Sequence, residues 1–136
     1  LRFTWNSSGD ELNFAIPNNQ RNVSGFSTLS IRVGQVLNSL SNPAGPQNFR
    51  LTLRDVGGNE RAIRVSAFGT VPQPAEANTV GNKKSAMNTI RIPLSAYTVV
   101  CAGAVPVDLT HVTNVKLQFL DIPTGEIAID ELEFAN

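Results

Sequence analysis

The sequence predicts an all-β protein, specifically a jelly-roll β-sandwich of about eight antiparallel strands in two sheets. Apolar residues alternate with polar ones in short runs, as they do in half-buried strands. Clusters rich in Gly, Pro, Asn and Ser separate the runs. No apolar helical period lasts longer than a turn or two. Short strands with turn signals between them are typical of sandwiches and barrels, and eight antiparallel strands fit a jelly roll.

Eight alternating runs define the predicted strands. They are Arg2–Trp5, Glu11–Ile16, Thr28–Val36, Gln47–Asp55, Arg61–Phe68, Asn88–Leu94, Asn114–Leu120 and Gly125–Phe134. Val56-Gly57-Gly58-Asn59 predicts a hairpin turn between the fourth and fifth strands. Single helical turns are expected after Pro93 and from Asp108. The long segment Gly69–Ala86, which ends in Lys83-Lys84 before Ser85, predicts a functional or mobile loop.

The last strand contains a change of phase. Ile127 and Ile129 share one face, whereas Leu132 and Phe134 are out of step with them by one residue. If all four side chains reach the same core, one extra residue must be absorbed near Asp130, which is what a β-bulge does. The sequence therefore predicts a kinked final strand with a carboxylate at the kink.

Composition limits the classes of protein and of partner. The 136 residues suit one domain, and 41% hydrophobic with 16% charged residues indicates a globular chain. Eleven basic and eleven acidic residues cancel, so nucleic acid and membrane surfaces are not expected partners. No apolar run approaches the roughly 20 residues of a membrane span. The chain opens at Leu1, which suggests a single domain, residues 1–136, excised from a larger protein.

The residues that most catalytic sites need are scarce. The chain has one His, His111, expected in a turn or on the surface, and one Cys, Cys101, expected as a buried free thiol. No nucleophile elbow, zinc-protease motif or phosphate loop occurs. The carboxylates fall mostly at turns, which does not favour a paired-acid glycosidase. We therefore predict a protein that is not an enzyme.

A cation-rich sheet face is the candidate ligand site. In a jelly roll the second, seventh, fourth and fifth strands form one sheet, and its outward side chains would include Arg50, Arg54, Arg64, Lys116 and Gln118. Planar guanidinium groups suit carboxylates and hydroxyl-rich glycans. The alternative is a solvated face, or one docked on a neighbouring domain.

Aromatic residues could supply a flat sugar platform on such a face. Trp5 and Tyr97 are the candidates for an exposed aromatic platform. Burial is the alternative for Trp5, because it shares a strand face with Phe3.

The order of the strand motifs resembles that of galactose-binding-like β-sandwiches, which include several families of carbohydrate-binding modules on secreted bacterial enzymes. The matching motifs run through nearly the whole chain. They are Val23-Ser24-Gly25-Phe26, Leu51-Thr52-Leu53-Arg54-Asp55, Ile90-Arg91-Ile92-Pro93-Leu94-Ser95, Val107-Asp108-Leu109-Thr110 and Ile129-Asp130-Glu131-Leu132-Glu133-Phe134.

The resemblance implies a structural calcium held by the acid of the last strand and by oxygens from amino-terminal loops. Carried onto this chain, it implies Asp130 and Glu131, with Asn22 and Asn6 approaching from the loops. Mixed carboxylate and amide oxygens suit calcium. Asn22 stands where such domains often carry Asp, which lowers the charge of the site. The alternative for Asp130 is a surface acid paired with Arg32 or Arg91.

Together, the residues and the resemblance predict a non-catalytic accessory module that binds polysaccharide. Acidic glycans are among the expected ligands. The module would be secreted or extracellular and would hold an attached catalytic domain near its substrate. A structural domain that packs on its parent enzyme without binding glycan is the alternative, and a small hydrolase is a third.

Overall fold

Ten strands make up the fold of this protein, in a computed structural model that describes residues 1–77 and 82–136. They are β1 (Arg2–Trp5), β2 (Asp10–Ala15), β3 (Thr28–Gln35), β4 (Arg50–Asp55), β5 (Glu60–Arg64), β6 (Ala75–Ala77), β7 (Asn82–Lys84), β8 (Asn88–Pro93), β9 (Val112–Phe119) and β10 (Gly125–Ala135). One α-helical turn, α1 (Ser95–Thr98), and two 3-10 turns, Asn18–Gln20 and Val65–Ala67, complete it.

Eight of these strands form two antiparallel sheets of four. Sheet A has the order β1-β10-β3-β8 and sheet B the order β2-β9-β4-β5. Consecutive strands alternate between the sheets at the start of the chain, so the two apolar faces are brought together over one core. The predicted jelly-roll β-sandwich and the predicted membership of sheet B are confirmed.

The bulge predicted in the last strand is present. Ile129 pairs with Val33 and Glu131 with Arg32, so Asp130 is the extra residue between them. Leu132 is half-buried, as is Phe134, and both pack against the same core as the isoleucines that precede the bulge. The bulge thus keeps apolar residues from both halves of β10 on one face.

Trp5 is the largest side chain of the core and is 0% exposed. Its ring stacks on Phe119 with the ring centroids 4.1 Å apart, and its Nε1 donates to the carbonyl of Ile122 at 2.9 Å. Gly125 lies directly against the ring, because a Cβ there would be 2.2 Å from Cζ2 of Trp5. Glycine at this position is what admits the indole.

The β4–β5 hairpin is organised by one buried carboxylate. Asp55 accepts hydrogen bonds from the backbone N–H of Asn59 and of Asp108, each at 2.9 Å, and from Asn59 Nδ2 at 3.0 Å. Burial acts to raise the pKa of Asp55, but these hydrogen bonds outweigh it and the pKa is lowered. The same carboxylate therefore ties the turn to the loop that precedes β9.

A second nearly buried carboxylate, Glu126, joins the start of β10 to neighbouring segments. Its side chain is hydrogen-bonded and ion-paired to Arg2. Hydrogen bonds from Arg2 first, then from Ser39, lower the pKa of Glu126 to about 2, against the effect of burial. Asn42 Oδ1 accepts the backbone N–H of Glu126 at 2.6 Å. This cluster fastens the loop after β3 onto sheet A.

Some segments differ from the prediction. The predicted loop Gly69–Ala86 contains the paired strands β6 and β7, and its middle, residues 78–81, lies outside the described residues. The fourth strand begins at Arg50 rather than Gln47, which bridges Val71 instead. The fifth strand ends at Arg64, where a 3-10 turn begins. For Gln47, the bridge to the distant Val71 replaces pairing within sheet B.

Candidate functional site

The outward side chains of sheet B form a continuous polar surface, called the polar face below. Strand register places these side chains in three rows across β2, β9, β4 and β5. The rows are Glu11, Gln118, Arg50 and Arg64; Asn13, Lys116, Thr52 and Ala62; and Ala15, Asn114, Arg54 and Glu60. Neighbouring strands lie about 4.8 Å apart, so the four strands span roughly 14 Å. Five of the six predicted ligand residues, all except Trp5, therefore share this face.

Asp121 holds the two arginines of the first row. Arg50 Nη2 donates to Asp121 Oδ1 at 3.1 Å. Arg64 makes two contacts, from Nη2 to Oδ1 at 3.1 Å and from Nε to Oδ2 at 3.2 Å. These hydrogen bonds, that of Arg50 first, lower the pKa of Asp121 against the effect of its partial burial. The bidentate contact fixes the plane of the Arg64 guanidinium.

Glu60 organises the cations of the other rows in a similar way. Lys116 is only 8% exposed, and its Nζ donates to Glu60 Oε1 at 2.7 Å. Arg54 Nε lies 3.6 Å from the same oxygen. Between these groups, Thr52 Oγ1 donates to Gln118 Oε1 at 2.7 Å. Because the aliphatic part of Lys116 is buried and its ammonium is paired with Glu60, the side chain is held in one position on the polar face.

The polar face is close to electrically balanced. Arg50, Arg54, Arg64 and Lys116 stand against Glu11, Glu60 and Asp121. Each of the four cations lies within 4 Å of a carboxylate oxygen of Asp121 or Glu60. The face therefore does not present a strong positive field to an acidic polymer. It instead presents hydrogen-bond donors and acceptors whose orientation is set by these ion pairs.

The aromatic platform is the part of the ligand prediction that is wrong. Trp5 and Tyr97 are both 0% exposed, because each faces the core between the sheets. Tyr97 Oη lies 3.4 Å from the carbonyl of Leu51, and burial raises the pKa of the phenol. Among the described residues, the exposed aromatic side chains are Phe26 and Phe68, at 42% and 41%. Both were missed, because the alternation pattern alone does not mark them as exposed.

The residues implied for calcium do not form one cluster. Asp130 is 62% exposed at its side chain, and its Oδ2 lies 3.6 Å from Arg32 Nη1, as the surface-acid alternative expects. Trp5, the last residue of β1, pairs with Gly125 of β10, and Asn6 follows it. Asp130 lies five to six residues further along β10 from this point. In an extended strand that separation is roughly 18 Å.

The remaining amide is already used locally. Asn22 Oδ1 accepts from the backbone N–H and the hydroxyl of Ser24, at 3.2 and 2.8 Å. Glu131 is exposed beside the bulge. In residues 1–77 and 82–136, no group of three or more His, Cys, Asp or Glu side chains could hold a metal ion. Asn6 therefore does not share a site with Asp130, and the structural calcium itself stays a prediction.

Two further predictions concern single residues. Cys101 is a free cysteine but exposed, so its predicted burial is wrong; the apolar loop around it is open to solvent. His111 is exposed, as expected for a surface histidine, and its Nδ1 lies 2.8 Å from Asp108 Oδ2. Hydrogen bonds from Thr110 first, then from His111, lower the pKa of Asp108 to about 2. These three residues stabilise a local turn.

Asp121 and Glu60 are the functional candidates that the sequence-based prediction missed. Asp121 follows Leu120 in a turn after β9, where no alternation assigns it to either face. Only the fold brings its carboxylate to Arg50 and Arg64. Glu60 opens β5 directly after the hairpin turn, and its role follows from its register opposite Arg54.

Comparison with solved structures finds a similar fold in two structures of carbohydrate-binding modules. The chain is similar to the family 11 carbohydrate-binding module of the cellulosomal cellulase Lic26A-Cel5E of Clostridium thermocellum, with a TM-score of 0.65, 12% identity, and coverage of 99% of this chain and 73% of that one. It is equally similar to a family 11 module from Clostridium thermocellum in complex with a β-1,3-1,4-mixed-linked tetrasaccharide, with a TM-score of 0.65, 12% identity, and coverage of 99% and 74%. No family model and no curated protein sequence matches the chain. At this identity, the likeness shows a shared fold.

None of the helices in the described part of the chain is long and apolar enough to cross a membrane.

Proposed function

We propose that this protein is a non-catalytic module that binds a neutral polysaccharide on the polar face of sheet B. The observation that carries the proposal is the set of ion-paired donors on that face. Arg50 and Arg64 are oriented by Asp121, and Lys116 is oriented by Glu60. Donors that are already fixed lose less conformational entropy when a ligand accepts their hydrogen bonds. The fold shared with carbohydrate-binding modules, one of them solved with an oligosaccharide, supports the same conclusion.

The balanced charge of the polar face favours a neutral polymer over an acidic one. Asp121 already accepts two hydrogen bonds from Arg64 and one from Arg50, so an acidic sugar would compete with it for both guanidinium groups. Sugar hydroxyls can instead use the remaining donor and acceptor positions without breaking these pairs. The few exposed aromatic residues predict modest affinity, because stacking on aromatic rings would contribute little.

The wider role we propose is targeting. A module that holds a polymer raises the effective concentration of substrate for any catalytic domain on the same polypeptide. This role requires a secreted or extracellular parent protein, and it makes the parent's catalytic domain the second partner of the module.

Affinity electrophoresis of the isolated chain through gels containing neutral or acidic polysaccharides tests the proposal. We expect retardation by at least one neutral polymer, and loss of that retardation in the double variant Arg50→Ala with Arg64→Ala. Arg91→Ala is the matched control for loss of an exposed arginine, because Arg91 lies outward on sheet A. Absence of retardation by any polymer would favour a structural domain instead, and hydrolysis of a glycan or ester would contradict a non-catalytic module.

A further inference from the structure

A small polar cavity, called the loop pocket below, lies between the loop that follows β3 and the segment that precedes β6. Its volume is about 150 Å³. That is several times the roughly 30 Å³ that one water occupies in the liquid, yet small beside the sites that hold drug-sized ligands. The residues that line it include Gln35, Asn38, Asn42, Pro43, Gln73 and Pro74. The loop pocket therefore has room for one compact ring, but not for a segment of a polymer.

One buried hydrogen-bond acceptor of the loop pocket has no partner in the described part of the chain. Gln35 is 1% exposed, and its Nε2 donates to the carbonyls of Gly45 at 2.9 Å and of Val71 at 3.1 Å. Because these bonds use both Nε2 hydrogens, the orientation of the amide is fixed and Oε1 must be the acceptor. Gln35 Oε1 is buried without a hydrogen bond, which is unfavourable. A ligand that donates to this oxygen would remove the penalty.

The neighbouring amide of Asn42 has no donor to offer in place of a ligand. Its Nδ2 donates to the carbonyls of Val36 and Glu126, at 3.4 and 3.0 Å. Its Oδ1 accepts from the backbone N–H of Glu126 at 2.6 Å and from Nε2 of Gln47 at 3.1 Å. Gln47 carries a second buried oxygen without a partner among the described residues, Oε1, although Gln47 itself does not line the cavity. The side chains of Gln35 and Asn42 therefore have no N–H left to donate.

The loop pocket favours an uncharged ligand. None of the described residues that line it is Asp, Glu, Lys, Arg or His. Glu126 accepts a hydrogen bond from Ser39, which also lines the cavity, but the charge of Glu126 is balanced by its ion pair with Arg2. A charged ligand would lose hydration on entry without gaining a counter-ion.

The outer part of the loop pocket offers both donors and acceptors. Asn38 and Gln73 are exposed, and each amide combines a carbonyl oxygen with an NH2 group. Gln73 Oε1 accepts from the backbone N–H of Gly45 at 2.9 Å, and its NH2 group can donate to a ligand. Pro43 and Pro74 add nonpolar C–H surface. A sugar ring has the complementary chemistry, because its hydroxyls donate and accept at the edge while its C–H groups form nonpolar faces.

We propose that the loop pocket binds one neutral sugar ring, either a free monosaccharide or the end unit of a chain. One ring hydroxyl donates to Gln35 Oε1, and other hydroxyls contact Asn38 and Gln73. The loop pocket shares no lining residue with the polar face of sheet B, so this site does not depend on the function proposed above. If both sites engage one polymer, the second contact becomes intramolecular and raises the overall affinity.

The test is an NMR titration of the isotopically labelled protein with the methyl glycosides of glucose, galactose, mannose and xylose. For at least one of these sugars, we expect saturable chemical-shift changes at Gln35, Asn38 and Gln73, including their side-chain amides. Trisaccharides of the same sugar distinguish the two sources: a site for chain ends gives the same shifts with them, whereas a site for free monosaccharides excludes them. Glycerol, which has hydroxyls but no ring, is the control and should give no saturable change.

Two variants remove contacts from the loop pocket. Asn38 has a φ of 58°, which glycine adopts readily, so Asn38→Gly removes the amide without straining the backbone. We expect it to weaken sugar binding about threefold to tenfold, as the loss of a hydrogen bond would. Gln35→Met removes the buried acceptor and should abolish binding. Because it also removes the bonds to Gly45 and Val71, urea unfolding is used to check that this variant folds.

Two controls locate the effect. Asn18→Gly removes an exposed asparagine outside the loop pocket, and Arg50→Ala with Arg64→Ala removes two cations of the polar face. Each should change the affinity for the methyl glycoside by less than about twofold, because neither alters a group that lines the loop pocket.

Several results would overturn the inference. These are no saturable change with any of the sugars up to about 50 mM, changes confined to the polar face, or equal affinity in Asn38→Gly and the native protein. An ordered water detected beside Gln35 by nuclear Overhauser effects, without sugar binding, would show that water alone satisfies Oε1. Retardation by a polysaccharide through the polar face, with no shifts in the loop pocket, would refute this site while leaving the proposed function standing.

Discussion

Replacing Gly125 with alanine is the sharpest test of how the core is organised, because it adds one methyl group at a known contact. The added Cβ would lie 2.2 Å from Cζ2 and 2.4 Å from Cη2 of Trp5, so the indole must move by more than 1 Å to restore an ordinary contact of about 3.5–4.0 Å. The ring is fully buried, stacked on Phe119, and hydrogen-bonded to Ile122.

The expected cost has two parts. Overpacking of a close-packed core typically costs about 1–3 kcal/mol, and displacement of the indole puts the Trp5–Ile122 hydrogen bond at risk for about 1 kcal/mol more. We therefore expect Gly125→Ala to lower the free energy of unfolding by about 2–4 kcal/mol. With a urea dependence of about 2 kcal/mol per molar, the midpoint would fall by about 1–2 M.

Urea unfolding followed by tryptophan fluorescence measures this directly, since the chain has one Trp. Gly25→Ala is the matched control: a Cβ there meets nothing within 4 Å and the residue has no positive φ, so we expect no loss and up to about 1 kcal/mol of gain. The reasoning would be refuted if Gly125→Ala unfolded within about 0.5 kcal/mol of the native protein, with unchanged native fluorescence.

Two further predictions concern carboxylates. Because the folded-state pKa of Glu126 is lowered from 4.5 to about 2, its contribution to stability should be fully present above about pH 5 and decline as the pH falls toward 2. The Glu126→Gln variant should therefore show a smaller loss of stability between pH 5 and pH 2, measured by urea unfolding at each pH; an identical acid loss in both proteins would contradict this. Any change in melting temperature between excess calcium and EDTA should be the same in the native protein and in Asp130→Asn, because Asp130 is on an exposed bulge beside Arg32; an effect of calcium that disappears in the variant would show that Asp130 is a ligand after all.

Local patterns were sufficient to predict several features. The phase change between Ile129 and Leu132 predicted the bulge at Asp130, because strand periodicity admits few other ways to keep both residues on one core. Alternation also predicted that Arg50, Arg54 and Arg64 point outward from sheet B. These predictions depend on period two, which is a property of the strand itself.

Other features depend on segments that are distant in sequence. The phase of Trp5 with Phe3 favours burial but does not show how completely the ring is buried. Its exposure is 0% because Gly125 and Phe119, more than 100 residues away, leave a space shaped for the indole. Cys101 is in an apolar stretch, but its side chain is exposed in the structure. The pairing of Asp121 with Arg50 and Arg64 likewise joins residues 57 to 71 positions apart.

The sequence by itself therefore determined the sandwich, the position of the bulge and the identity of the outward-facing cations. Only the tertiary structure decided that those cations are balanced by Asp121 and Glu60, and that Asn6 lies far along β10 from Asp130. The physical reason is the range of the interactions. Alternation and turn chemistry act within a few residues, whereas ion pairing and ligand convergence depend on which distant strands become neighbours.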